Sequence, residues 1–356
     1  MKRIAIVGIQ GVPAKYGGFE TLVENIIGEN CSPDVQYTVF CSKKDYAIRP
    51  GSYKGVKLKY VPLFHANGVQ STPYDICSML SVLHGYDAVV VLGVSGCIFL
   101  PLFRLLYHKR LVVNIDGLEH RRAKWNGFTK SFLRFSEKMA VKYADIVIAD
   151  NKGIQDYVKG TYHKDSVLIA YGGDHVLRKV PAERQKEILA QYGLTEKQYA
   201  VSVCRIEPEN NCHVTLEAFS KTDKLLVFIG NWEYSHYGKE LKSRFAACPN
   251  IQLLDAVYDL DILYTLRNHA RWYIHGHSAG GTNPSLVEAM FFGCPILAYD
   301  VVYNRETTFN SAYYYKDSKD LATLLRMDDL NGEKMRTIAE QHYTWKHIAE
   351  QYEALY

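Results

Sequence analysis

The sequence predicts an α/β chain of two domains, each built on a doubly wound parallel sheet. Three observations predict it. Short β-branched runs alternate with helix-length amphipathic segments. That rhythm stops at Tyr171-Gly172-Gly173-Asp174 and then starts again. The length of 356 residues also exceeds what one hydrophobic core holds, since cores stop growing near roughly 250–300 residues.

The elements follow in order. In the first half Arg3–Val7, Gln36–Cys41, Lys57–Val61, Ala88–Leu92, Leu111–Ile115, Asp145–Ala149 and Val167–Ala170 read as strands. Phe19–Gly28, Pro73–His84, Phe128–Tyr143 and Gly153–Val158 carry apolar residues at helical spacing. In the second half Tyr199–Cys204, Leu225–Ile229, Ile251–Leu254, Trp272–His275 and Ile296–Ala298 read as strands. Val214–Lys221, Lys239–Ala246, Leu260–Arg267 and Ser285–Phe292 read as the helices between them. The tail from Asp317 reads as helix to the end, with a break near Asn331-Gly332. No internal repeat interrupts this plan. Two such Rossmann-like domains in tandem set the carboxyl ends of two sheets across a cleft, where ligands of these sheets bind. Function is therefore expected in the loops that follow strands.

Composition narrows the classes. The chain is 47% hydrophobic and 22% charged, which excludes a disordered or collagenous protein. Net charge is +4, too small to imply nucleic acid. Its distribution is uneven: residues 1–170 carry +8 and the rest −4. A basic first half suits an acidic ligand or an anionic membrane face, and equally an uneven solvated surface. The eight cysteines include no Cys-x-x-Cys and lie mostly in apolar runs, which reads as reduced, buried thiols and not as a zinc site or disulfide frame. Met1-Lys2-Arg3 runs straight into a strand, so no secretory leader is expected. The longest uncharged run, Ala88–Phe103, is interrupted by Gly93, Gly96 and Pro101 and is too short to span a bilayer. Together these predict a cytoplasmic protein.

Four loops carry the chemistry. The first runs from Gly8 to Glu20, a strand passing through Gly-rich loop into helix. Backbone N–H groups at such a helix start can hold phosphate, with Gly17 and Gly18 nearest. The spacing is not Gly-x-Gly-x-x-Gly, and a plain tight turn explains it as readily. The second is Asn114 to Trp125, a polar stretch behind an apolar strand. Asp116 at the strand end can accept a proton or a sugar hydroxyl. Arg121, Arg122 and Lys124 can meet a phosphate. The third is Cys204 to Asn211. Arg205 there can grip a diphosphate as it leaves, or simply pair with Glu207 or Glu209.

The fourth loop is the most specific: His275-Gly276-His277-Ser278-Ala279-Gly280-Gly281-Thr282-Asn283-Pro284-Ser285, running on to Glu288. Gly280 and Gly281 let a ligand approach the backbone, and the following helix aims N–H groups at an anion. Glu288, one turn in, can accept two ribose hydroxyls. His275 and His277 alternate, so one of them faces the cleft. No third ligand stands at metal spacing, so no metal is expected. Asp259-Leu260-Asp261 reads as a helix cap.

Together these loops resemble those of GT-B glycosyltransferases of family 4, over essentially the whole chain. Val12–Glu20, Asp116-Gly117 with Arg121–Trp125, Arg205–Asn211 and His275–Glu288 are similar to a narrower subgroup of bacterial rhamnosyltransferases. The resemblance implies an acceptor domain at 1–172, a nucleotide-sugar domain at 173–340, and a last helix at 341–356 returning to the first domain. It implies retaining, metal-independent transfer with no cofactor beyond the nucleotide-sugar donor. Carried over residue by residue, Arg205, Asp116 and Glu119 are the catalytic candidates. Gly17, Gly18, Asn210, Asn211, His277, Gly280, Gly281, Thr282, Asn283, Ser285 and Glu288 are the donor contacts. His120, Arg121, Arg122 and Lys124 are the acceptor contacts. The chain departs from the family at three points: Asn210 stands where a Lys is expected, Gly280 replaces the first Glu of Glu-x7-Glu, and Asp116 replaces an N-domain His. The donor implied is dTDP-L-rhamnose, and the acceptor a lipid-linked saccharide at the inner membrane face for surface polysaccharide. The alternatives are a UDP- or GDP-hexose donor, a GT-B nucleotide-sugar epimerase, or an inactive nucleotide-sugar-binding scaffold.

Overall fold

The computed structural model describes all residues except Tyr16, Asn67, Ala123 and Lys124, and the side chain of Val69. Its contacts divide the chain into two units, Met1–Tyr171 with Trp345–Tyr356, and Gly172–Thr344.

The first unit holds strands β1 (Lys2–Val7), β2 (Val35–Ser42), β3 (Ser52–Tyr53), β4 (Val56–Val61), β5 (Ala88–Leu92), β6 (Arg110–Asn114), β7 (Ile146–Ala149) and β8 (Val167–Leu168). They form one sheet in the order β3-β4-β2-β1-β5-β6-β7-β8. Only the short edge pair β3/β4 is antiparallel. Inner strands such as β5, AVVVL, are buried at every residue, because helices cover both faces of a parallel sheet. The chain order reverses between β1 and β5, which marks a switch point where loops diverge and leave a crevice.

The C-terminal helix Trp345–Glu353 belongs to this unit. Its Trp345, Ile348, Ala349 and Tyr352 are buried in the same core as Leu22, Val23, Ile26 and Ile27 of helix Gly18–Glu29. Arg110 ties it down by donating to the Leu355 carbonyl at 2.6 Å.

The second unit holds β9 (Tyr199–Val203), β10 (Leu225–Ile229), β11 (Ile251–Leu254), β12 (Trp272–His275), β13 (Ile296–Tyr299) and β14 (Tyr313–Tyr315). All pair in parallel, in the order β11-β10-β9-β12-β13-β14. The switch point here lies between β9 and β12.

The sequence pattern misses short or polar elements. Helix Leu100–Leu106 begins in the uncharged run and continues through Arg104, and Pro101 stands in its first turn, where its missing N–H costs nothing. Helix Ala182–Gln191 buries only Ile188 and Leu189, too few for an apolar period. Edge strands β3 and β14 and helix Val302–Thr307 are too short to show one. The tail is three helices, Ser318–Leu324, Glu333–His342 and Trp345–Glu353, with a second break at Tyr343-Thr344. The cysteines are all free, but only Cys41, Cys97, Cys212 and Cys294 are buried, and Cys31 is exposed. Among the described residues, no helix is long and apolar enough to cross a membrane.

Candidate functional site

In the second unit the loops after β9 and β12 meet at the switch point and are stitched together. Asn210 is the main stitch. Its Oδ1 lies 2.7 Å from His277 Nδ1, and its Nδ2 donates to the Arg205 carbonyl at 2.7 Å. Asn211 donates to the Gly276 carbonyl at 2.8 Å, and Ser278 donates to the Glu209 carbonyl through both its N–H and its hydroxyl. Gly276 permits this approach: a Cβ there would stand 2.1 Å from the Asn210 carbonyl oxygen. Asn210 is itself buried, so its amide fixes the loop at the position where the resemblance leads one to expect a Lys.

Arg205 is exposed at the rim. Its Nε stands 3.8 Å from Glu207 Oε2, a loose pair that a diphosphate can displace. His275 ends β12 fully enclosed, and burial, then the neighbouring His277, depress its pKa to about 3. It is therefore a neutral packing residue. His277 is buried too, against Asn210.

Past the loop, Gly280 takes a positive φ of 91°, which a side chain would resist. Thr282 is buried. Asn283 caps helix Pro284–Met290, its Oδ1 accepting from both the N–H and the hydroxyl of Ser285 at 3.0 and 2.8 Å. Gly281 lies between these fixed points. Glu288 follows one turn later. Arg267 donates to its Oε2 at 2.7 Å, and His175 Nε2 stands 3.5 Å from its Oε1. Burial alone would raise the Glu288 carboxyl, but Arg267 and His175 hold it below the ordinary range. Glu288 is thus an anion at neutral pH, with one oxygen taken firmly and the other loosely. The sequence reading missed Arg267 and His175. Arg267 sits in the last turn of helix Leu260–Asn268, where a cation reads as a dipole partner.

In the first unit, the loop after β1 also lies at a switch point. Gly8 abuts the end of β5: a Cβ would stand 2.3 Å from the Leu92 carbonyl oxygen. Gly17 caps helix Gly18–Glu29 at φ 126°. Two of the loop's donors are taken by that helix: Glu20 accepts from the Gln10 N–H at 2.9 Å and Glu24 from the Ala14 N–H at 2.6 Å. The Glu20 carboxylate also stands beside Gly17, where a Cβ would lie 1.9 Å from its Oε2. Glu20 is a residue the sequence reading passed over, although a Glu three residues past a helix start is a capping signature.

Asp116 follows β6 in a left-handed conformation, φ 59°. Asn114 Oδ1 accepts its N–H at 2.9 Å, Tyr352 lies 2.7 Å from Asn114 Nδ2, and Tyr171 reaches Asp116 Oδ1 at 3.4 Å. Burial raises the Asp116 carboxyl, with Arg122 opposing and Glu119 reinforcing. Glu20 is raised as well, by burial first and Asp116 last. Two sheltered carboxyls thus share this end of the sheet. Glu119 pairs with Arg122 at 2.7 Å and accepts from Trp125 Nε1 at 3.1 Å. His120 Nδ1 lies 3.0 Å from the fully buried Glu137, whose other oxygen accepts from Tyr157 and Tyr162. Arg121 stacks over the Tyr157 ring at 5.0 Å. Lys124 lies outside the described residues. Among those described, no group of three or more His, Cys, Asp or Glu is placed to hold a metal ion.

Two parallel α/β units of this build define the GT-B class of fold. Solved structures agree across the whole chain. Sucrose-phosphate synthase from Thermosynechococcus elongatus is 16% identical with a TM-score of 0.82, covering 100% of this chain and 98% of its own. HepE from Anabaena, in complex with UDP-glucose, is 14% identical with a TM-score of 0.75, covering 100% and 99%. The catalytic domain of starch synthase IV from Arabidopsis thaliana, bound to ADP and acarbose, is 14% identical with a TM-score of 0.72, covering 99% and 98%. No curated protein matches the sequence. Two family models do: residues 1–174 match "Domain of unknown function (DUF1972)" and residues 184–326 match "Glycosyl transferases group 1". The chain thus carries a glycosyl transferases group 1 domain behind a DUF1972 domain.

Proposed function

We propose that the chain moves a hexosyl group from a nucleotide sugar to a saccharide acceptor, with L-rhamnose from dTDP-L-rhamnose as the first donor to test. The observation that carries the donor half is the β9/β12 switch point, where Arg205 stands at the rim of a stitched loop pair and Glu288 is held anionic. Such a site offers a cation for a leaving diphosphate and a carboxylate for two ribose hydroxyls. Two structural relatives, HepE bound to UDP-glucose and starch synthase IV bound to ADP, support a nucleotide ligand.

In this reading Arg205 meets charge as it develops on the diphosphate, and Gly280, Gly281, Thr282, Asn283 and Ser285 shape the backbone around it. Glu288 fixes the ribose. Asp116, sheltered and raised, contacts or deprotonates an acceptor hydroxyl beside Glu119 and His120. Transfer is retaining and needs no metal. The acceptor is a lipid-linked saccharide, and the enzyme works at an anionic membrane surface in polysaccharide assembly. Two exposed aromatics of helix Gly127–Tyr143, Phe128 and Phe135, support that placement.

A second reading keeps the reaction and changes the donor to a UDP-hexose, favoured by the UDP-glucose bound to HepE. A thermal-shift panel of dTDP-L-rhamnose, UDP-glucose and GDP-mannose decides between them. A donor present at 100 times its Kd stabilises the fold by about 2.7 kcal/mol. No shift with any nucleotide sugar would overturn both readings. Sugar interconversion without acceptor would mark an epimerase, and binding without hydrolysis or transfer a scaffold.

A further inference from the structure

A groove of about 450 Å³ opens on the first unit, between helix Gly127–Tyr143 and the end of helix Lys152–Tyr162. Ser131, Arg134, Phe135, Lys138, Thr161 and Tyr162 line it, and no carboxylate does among the described residues. Spacing explains the lining. Phe128, Ser131, Phe135, Lys138 and Lys142 recur every three or four residues, with Arg134 one turn before Lys138, and together form the exposed stripe of the longer helix. The opposite stripe, Leu133, Ser136, Glu137 and Ala140, is buried. Arg134 and Lys138 have no ion-pair partner among the described residues, unlike Arg122, Arg104 and Lys152 nearby in sequence. The Tyr162 hydroxyl is turned away to the buried Glu137 at 2.7 Å, which leaves two unpaired cations with the Ser131 and Thr161 hydroxyls beside them as a site for a phosphate oxygen cluster.

We propose that this groove seats the phosphodiester headgroup of an anionic phospholipid and docks the first unit on a membrane surface. The inference deepens the membrane placement proposed above and does not depend on the transfer reaction. Apolar exposure selects a lipid over a soluble phosphate. Phe135, in the groove wall, is 50% exposed, and Phe128 on the same stripe is 83% exposed. Helix Leu100–Leu106 packs against the same long helix and exposes Leu102, Leu105 and Leu106. Aromatic and leucine side chains that water solvates poorly find their place in the acyl boundary, while the cations stay at headgroup level.

The test is co-sedimentation of the full chain with vesicles of neutral phosphatidylcholine, alone or with phosphatidylglycerol added. Binding should require the anionic lipid and fade at high salt. Each cation at such a surface is worth about fivefold in affinity, so Arg134→Gln with Lys138→Gln should weaken binding by at least about twentyfold. Phe128→Ser with Phe135→Ser should weaken it as well. A control pair in the second unit, Lys221→Gln with Lys239→Gln, should leave it intact. Calorimetry with UDP and dTDP should be unchanged in every variant, which separates failure here from failure of the donor reading. Equal binding to neutral vesicles, retention by the groove variant, or equal loss in the control pair would overturn the proposal. So would release from vesicles by millimolar inorganic phosphate at constant ionic strength, since the site would then take free phosphate.

Discussion

Arg267 Nη2 lies 2.7 Å from Glu288 Oε2, and both side chains are largely shielded from water. Arg267 Nε has no hydrogen-bond partner among the described residues. Removing one partner of such a pair leaves a charge without compensation, at a cost of about 3–5 kcal/mol. Arg267→Met therefore removes the cation that holds Glu288 ionised. The Glu288 carboxyl is depressed in the folded chain. Its contribution is present above the unfolded carboxyl value, about 4.3, and is lost as pH falls through the lower folded value. Urea melts from pH 7 to pH 3 should show that acid loss in the parent chain and little of it in Arg267→Met. An identical acid slope in both would take the pair out of the stability balance.

Glu288→Gln separates binding from folding. Gln keeps an oxygen that can accept from Arg267, so the fold survives. It loses the anion that would take two ribose hydroxyls. Affinity for UDP or dTDP should fall by about 1–3 kcal/mol in calorimetry. Unchanged affinity would remove Glu288 from the nucleotide site.

The sheets were legible because their strands are buried on both faces and read as unbroken apolar runs. The loops were legible because polar residues directly behind such strands have little other reason to be there. What the pattern could not give is partnership across the chain. Asn210 looks in sequence like a lost Lys; in the fold it is the stitch between His277 and the Arg205 carbonyl. Glu137 looks like one more charge on an amphipathic helix, yet it is buried beneath His120, Tyr157 and Tyr162. Glu20 and Glu24 look like solvated acids near a Gly-rich loop, and they accept its Gln10 and Ala14 N–H groups. Trp125 and Phe128, three residues apart, have different fates: one donates to Glu119 and the other faces solvent. Each of these depends on a tertiary neighbour, which local periodicity does not encode.

Asp75 yields a pH prediction of the opposite sign to that of Glu288. It is buried behind Gly96, and burial pushes its carboxyl up to about 8, with the Gly96 N–H partly offsetting. A Cβ on Gly96 would stand 2.3 Å from the Asp75 Cβ, so nothing else fits between them. The folded chain thus holds Asp75 protonated where the unfolded chain, at about 3.9, ionises it. Stability is full below that unfolded value, declines as pH rises toward 8, and levels off above. Asp75→Asn keeps the acceptor for Gly96 and removes the titration. Its advantage over the parent in denaturant melts should grow between pH 5 and pH 8, on the order of one kcal/mol per pH unit. A constant difference across that range would show Asp75 ionised in the fold.

Arg205 should matter to turnover and hardly at all to stability. Its side chain is 43% exposed and its contact with Glu207, at 3.8 Å, is too long for a firm bond. Deleting it should therefore shift stability by no more than about 0.5 kcal/mol. A cation that meets charge developing on a leaving diphosphate contributes to the transition state and little to the ground state. Arg205→Ala should cut donor turnover by about 10²–10³ while its affinity for intact donor changes far less. Arg205→Lys should recover only part of that, because an ammonium cannot make the paired bonds a guanidinium makes to two phosphate oxygens. Slow donor hydrolysis, followed by nucleotide release, reads both variants without knowledge of the acceptor. Near-parental rates in Arg205→Ala would place the leaving-group cation elsewhere, and a loss confined to donor affinity would make Arg205 a binding residue that takes no part in bond breaking.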